Sequence, residues 1–227
     1  MKNKGFTLAE MLISIGVIGV IAAITIPTLV NNYQKDVQVT SLKKFYNELD
    51  NALQRKMTDT NSDNLVQAGL TTQAQWNLFM ENYFKYSKVC SGTTDGCFAP
   101  RSGYHKIDGS LLTESLFGNT QSYLLQSGAA VRPLSKNEGN DVNKKLANIV
   151  VDINGEKKPN IVGRDLFSLA VFSNGEIDDF DDNNKNLLPP LSEATRNALF
   201  NGRCKGGSGN FWGCFGKILN DNWQMKY

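Results

Sequence analysis

Histidine occurs once in this 227-residue chain, at His105, and that scarcity closes off much enzyme chemistry. Any Ser-His or Cys-His dyad has to use it, and its Gly-Tyr-His-Lys setting reads as loop. The four cysteines include none of the close CxxC pairs used by structural zinc. No Walker A sequence occurs, and the glycines between Gly206 and Gly213 lack both the preceding strand and the spacing of a dinucleotide loop. An excess of one charge is also missing. Lys and Arg number 24 against 22 Asp and Glu, so there is no electrostatic footprint of a nucleic-acid binder. Neither an enzyme nor a nucleic-acid partner is expected. The most informative absence is local: no residue from Met11 to Val30 is charged.

That stretch belongs to GFTLAEMLISIGVIGVIAAITIPTLV, residues 5–30. Its 20 uncharged residues make roughly 30 Å of helix, about the thickness of a bilayer's hydrocarbon core. A membrane helix is the first expectation. A secretory signal cut near Ala22-Ala23 fits poorly, because the apolar run continues to Val30. A plain anchor leaves three features unexplained: the short basic leader with Lys2 and Lys4, Glu10 inside the apolar flank, and Pro27 at the far end. A carboxylate beside a membrane span is costly, which makes Glu10 a functional candidate. Near a helix start its charge also complements the macrodipole. Gly19 and Ala23 form a small-xxx-small pair that lets helices approach closely. Pro27 removes a backbone donor and is expected to kink or locally melt the helix.

Lys4-Gly5-Phe6-Thr7-Leu8-Ala9-Glu10 with the apolar run behind it resembles the class III signal of type IV prepilins and type II secretion pseudopilins. The resemblance implies cleavage after Gly5 by a prepilin peptidase and methylation of the new amino terminus at Phe6. Glu10 then becomes the fifth residue of the mature chain, where the family carries its glutamate, and Pro27 matches a proline many members have. In packed subunits Glu10 can pair with the Phe6 amine, its own or a neighbour's, since burying either charge alone is unfavourable. Residues 1–5 are then a leader and residues 6–30 the membrane and filament-core half of one helix. Loss of the leader removes Lys2 and Lys4 and leaves 22 basic against 22 acidic groups.

The remainder is long enough to bury one substantial core. Residues 31–57 continue in helical period: Leu42, Phe45, Tyr46, Leu49, Ala52, Leu53 and Met57 recur at gaps of three and four, with charges on the other side. Residues 6 to about 57 thus form one helix, transmembrane then amphipathic, of roughly 75 to 80 Å. Residues 58–227 form the head. A polar loop over 58–69 precedes a second helix starting near Thr71 or Thr72, with Trp76, Phe79, Met80, Tyr83 and Phe84 as its buried stripe. Strands are expected at 122–125, 129–132, 148–153, 166–172 and 176–180, with Asn174-Gly175 as the strongest hairpin signal. The fold class is α+β, type IV pilin-like, with the long helix packed on an antiparallel sheet of four or five strands. Ser192 caps a short helix to Asn201, Gly202 ends it, and 212–220 holds a last short helix.

Cys90 and Cys97 enclose one short polar loop, and Cys204 and Cys214 another; both pairs are expected to be disulfides. Four cysteines in near pairs suit an oxidising compartment, which places the residues after Val30 outside the cytoplasm. Two acidic stretches offer oxygen ligands for calcium: Asp152, Asn154, Asn160 and Asp165 around tight turns, or Asp179, Asp181 and Asn183 in a partial EF-hand spacing. The DxNG and PNxxGxDxF patterns between Asp152 and Phe167 also resemble the C-terminal halves of pilin-type proteins.

The resemblance implies a structural subunit, major or minor, of a type IV pilus-like filament. It implies a single-pass protein of the bacterial inner membrane that joins other pilins on an assembly platform powered by another protein's ATPase. A type II secretion pseudopilin has the same anchor chemistry. A membrane-anchored binding domain outside the cytoplasm that never polymerises is the third reading.

Overall fold

The computed structural model describes residues 7–91, 96–112, 120–136, 144–205 and 211–227. It divides into two compact units, Met1–Val37 and Gln38–Tyr227, a boundary inside the amphipathic stretch expected at 31–57. The layout is the expected α+β one, a long N-terminal helix and a C-terminal antiparallel sheet.

Helix α1 runs from Leu8 to Asp59 over 52 residues. It does not melt at Pro27; residues on both sides stay helical, because one missing donor leaves the neighbouring bonds of the ladder in place. From residue 39 on it buries Val39, Leu42, Phe45, Leu49, Ala52 and Leu53, the stripe dictated by a period near 3.6. Leu42, Leu49 and Leu53 are fully enclosed, and truncating any one to alanine removes about 2–5 kcal/mol.

Helix α2, Gln73–Tyr83, starts at a reciprocal capping box: the Thr72 hydroxyl accepts from the Gln75 N–H while the Gln75 side chain accepts from the Thr72 N–H. Its Trp76, Phe79 and Met80 enter the core, with Trp76 edge-on to Phe79 at 5.5 Å.

Among the described residues six strands follow in chain order and pair antiparallel as a meander: β1 Tyr86–Cys90, β2 Ser122–Leu125, β3 Ala130–Ser135, β4 Lys145–Asp152, β5 Leu166–Phe172 and β6 Ile177–Asp178. The sequence reading of four or five strands omits β1, an edge strand whose Ser87, Lys88 and Val89 are all exposed and so show no alternation. Strand β3 extends past the expected end at Arg132 to Ser135. Pro133 is tolerated because β2 pairs with β3 only at Ala130 and Val131. Beyond that point the Gln73 side chain takes the place of a strand, donating to the Pro133 carbonyl at 2.9 Å and accepting from the Ser135 N–H at 2.9 Å. Every residue of β4 and β5 is buried, so this part of the sheet is covered on both faces.

The turn between β5 and β6 is the expected Asn174-Gly175, with Gly175 at φ 89°. β6 stops at Asp178 instead of Phe180 because the next carboxylates turn to the C-terminal elements. Helix α3, Glu193–Leu199, is capped by Ser192 and passes into a wide π turn over Phe200–Cys204 that includes Gly202. Gly202 does not end the helix, since the Lys205 N–H reaches back to the Phe200 carbonyl at 2.8 Å. Helix α4 is Phe215–Asn220, shorter than expected at its start. Tyr46 joins this end to α1, with ring centroids 5.9 Å from Phe215 and 5.1 Å from Trp223. Disulfides join Cys90 to Cys97 and Cys204 to Cys214.

Candidate functional site

Gly5 and Phe6, the expected cleavage and methylation positions, lie outside the described residues. At residue 7 the chain enters α1 through a second capping box. The Thr7 N–H and the Thr7 hydroxyl both donate to Glu10 Oε2 at 2.8 Å. In return the Glu10 N–H donates to Thr7 Oγ1 at 3.2 Å. The signal is Thr-x-x-Glu at 7–10, which a reading of Glu10 as macrodipole and intersubunit charge passes over.

Behind the cap the apolar side chains point outward all round. Ile13, Ile18 and Ile24 are each about two-thirds exposed, and none of the most apolar 18-residue window, of mean hydropathy 2.4, is buried within the chain. By length and composition this helix can cross a membrane. Two of its hydroxyls are satisfied inside the helix, Ser14 donating to the Glu10 carbonyl at 2.7 Å and Thr25 to the Ile21 carbonyl at 2.9 Å. That suits a surface from which water is absent. Gly19 and Ala23 are exposed, as is Pro27.

The first acidic set is gathered at the end of β4. The Tyr104 hydroxyl donates to Asp152 Oδ2 at 2.6 Å, and the Asn154 N–H donates to Asp152 Oδ1 at 3.1 Å. Asp165 accepts from the N–H groups of Asn160 and Ile161, closing the turn between them. Burial pushes the Asp152 carboxyl up to about 8; the Tyr104 bond opposes the rise and the Asp165 charge adds to it. Burial likewise raises Asp165, against its backbone donors. Tyr104 rises well above the ordinary phenol value, through burial first and then Asp152. The side-chain oxygens of Asn154 and Asn160 are buried without a hydrogen-bond partner among the described residues. The carboxylates of the set are thus engaged by the chain's own donors, while its two amide oxygens are not.

The second set separates. Asp179 is fully buried and accepts from Gly213 N–H at 2.9 Å and Gly216 N–H at 2.7 Å, fastening the Cys214 loop to the sheet. Burial lifts its carboxyl to about 6, opposed by the Gly216, Phe180 and Gly213 donors. Asp181 instead pairs with Arg203 at 3.3 Å and closes a turn onto the Asn183 N–H at 2.9 Å. Among the described residues no three His, Cys, Asp or Glu side chains come together as a metal-ion group. Neighbouring Asp178 makes a two-point ion pair with Arg196, Nε at 2.9 Å and Nη2 at 2.7 Å. Such long-range partners leave no local signal. His105 lies near a tight turn, its Nδ1 3.2 Å from the Gly103 carbonyl.

No curated protein and no solved structure matches the chain. A family model does, the prokaryotic N-terminal methylation motif, over residues 1–26. The matched span takes in the Gly5-Phe6 junction, the Thr7–Glu10 cap and most of the outward-facing apolar helix, and over it the chain carries the class III signal peptide of type IV pilins and pseudopilins.

Proposed function

We propose that the chain is a structural subunit of a type IV pilus-like filament, cut after Gly5, methylated at Phe6 and assembled with other pilins through α1. The observation that carries this reading is the methylation motif over residues 1–26 leading into a helix whose most apolar stretch is not buried among the described residues. Such a surface is stable in lipid before assembly and against neighbouring helices afterwards. In this reading residues 6–30 anchor a single-pass protein in the inner membrane, and the disulfide-bearing head lies outside the cytoplasm, where Cys90–Cys97 and Cys204–Cys214 can persist. The chain is a substrate of the peptidase and methylase, not a catalyst.

Intact mass spectrometry of the membrane-extracted protein tests this. A mature chain starting at methylated Phe6 is expected; retention of Met1, or a cut near Ala23, would refute it. Surface filaments sheared from cells and containing the chain separate a pilus from a secretion pseudopilus, which stays in the periplasm.

A further inference from the structure

Two open clefts flank the buried stripe of α1 within the Gln38–Tyr227 unit. One, of 340 Å³, is lined by Tyr46, Asp50 and Gln54 of α1 together with Asn174, Glu176 and Asp178 around the β5–β6 turn. Arg196 also lines it and neutralises Asp178, so the cleft's net charge comes from Asp50 and Glu176. The other, of 420 Å³, is lined by Lys44 and Glu48 of α1, by Lys85, and by Gln126 and Ser127 in the β2–β3 turn. Its two lysines are exposed, and Glu48 offsets only one of them. At 3.6 residues per turn Lys44 and Glu48 sit about 160° round the helix from Tyr46 and Asp50, at nearly the same height. One head therefore presents a negative cleft on one flank and a positive cleft on the other.

We propose that these clefts are the two halves of a lateral contact between copies of this chain, the Lys44–Lys85 flank of one head seating against the Asp50–Glu176 flank of the next. The inference rests on the assembly reading above and adds to it the head surfaces that meet. Two different patches in contact make a heterologous interface. A joined pair still offers one free cleft of each sign, one on each copy, so the contact propagates instead of closing into a dimer. Lys44 and Asp50 lie six residues, about 9 Å, apart along α1, so pairing them between copies sets an axial stagger of neighbours, and the pairing of two like flanks, in which like charges meet, is disfavoured. Other occupants, such as a basic peptide in the acidic cleft, do not explain why a complementary cleft lies on the opposite flank.

Charge reversal and cross-linking in the full-length chain, in cells that process it, test the proposal. Asp50→Lys alone and Lys44→Asp alone are each expected to lower filament yield roughly tenfold, and the double reversal to restore it. Unchanged melting temperatures of the detergent-extracted variants show that the heads still fold. Independently, Ser127→Cys with Asn174→Cys is expected to give a ladder of disulfide-linked multimers in filaments, and each single variant none. A linked dimer from either single variant would mean that like patches meet and would overturn the proposal. So would normal filaments without a ladder, or yields indifferent to charge reversal. If wild-type chain remains uncut at Gly5 and forms no filaments, the assembly reading falls and this contact with it; cut, filamentous wild type isolates the fate of the contact alone.

Discussion

The Thr7 hydroxyl and the Glu10 carboxylate hold each other at the head of α1, each satisfying the other residue's backbone N–H. Under the proposed assembly this carboxylate has two separable duties, closing the helix start, as the hydrogen bonds show, and carrying a charge into a packed filament.

Replacing Glu10 tells these duties apart. Gln serves at this position of a capping box as well as Glu does, but brings no charge. Glu10→Gln is expected to preserve cleavage at Gly5 and amide protection in the first turn, yet to reduce filament yield as far as Glu10→Ala. Filaments at wild-type level in Glu10→Gln would reduce the residue to a cap.

Asp152 predicts a pH dependence. Its folded carboxyl titrates near 8, above the ordinary unfolded value of about 3.9, so between those values the folded state binds the extra proton. The contribution of this group is fully present below about pH 4 and is lost as pH rises through about 8. Asp152→Asn, which does not titrate, should therefore gain stability relative to wild type as pH rises across the window. A melting-temperature difference that is flat with pH from 4 to 8 counts against it.

Tyr104→Phe removes the hydroxyl that donates to Asp152 at 2.6 Å and accepts from the Ala99 N–H at 3.3 Å. Stranding two buried groups is expected to cost about 1–3 kcal/mol. The loss should grow toward pH 8, where the ionised Asp152 most needs a donor. Urea unfolding of the detergent-solubilised chain at pH 5 and pH 8 measures both the loss and its growth.

Gly163 joins the PNxxGxDxF segment to the second disulfide. It sits at φ 82°, and a Cβ there would lie 3.0 Å from Cys214 Sγ and 3.2 Å from Cys204 Sγ, while its carbonyl accepts the Tyr227 hydroxyl at 2.7 Å. Gly163→Ala is expected to cost about 1–3 kcal/mol from the left-handed backbone alone, with crowding against sulfur added. Cys204→Ser with Cys214→Ser should cost about 3 kcal/mol by opening a loop of sequence separation 10. If Gly163 acts through this contact, alanine should cost less once the sulfurs are gone, which a double-mutant cycle reads directly.

Calcium should leave the melting temperature unchanged at pH 7. The Asp152 and Asp165 carboxylates already accept donors from the chain, and a calcium site needs them ionised and free to turn. A rise on adding calcium that disappears in Asp165→Asn would instead assign the ion to this turn and its unpartnered Asn154 and Asn160 oxygens.

What the sequence determined by itself is what depends on near neighbours in the chain. The outward-facing apolar helix, its amphipathic continuation, the Thr72 and Ser192 caps, the Asn174-Gly175 hairpin and both short disulfide loops follow from spacing, propensity and loop length. The Thr7–Glu10 box was equally legible, since three residues separate its partners. Only the tertiary structure decided the rest. β1 is a strand because β2 pairs with it, not because its exposed residues alternate. Pro133 is tolerated inside β3 because β2 stops pairing at Val131, so that the missing N–H costs no ladder bond, and Gln73, 60 positions away, takes up the carbonyl there. Asp179, which its spacing to Asp181 and Asn183 makes a calcium candidate, instead accepts from the amides of Gly213 and Gly216, while its neighbour Asp178 pairs with Arg196. Burial makes each of these groups choose a partner, and which partner is within reach depends on how distant segments pack.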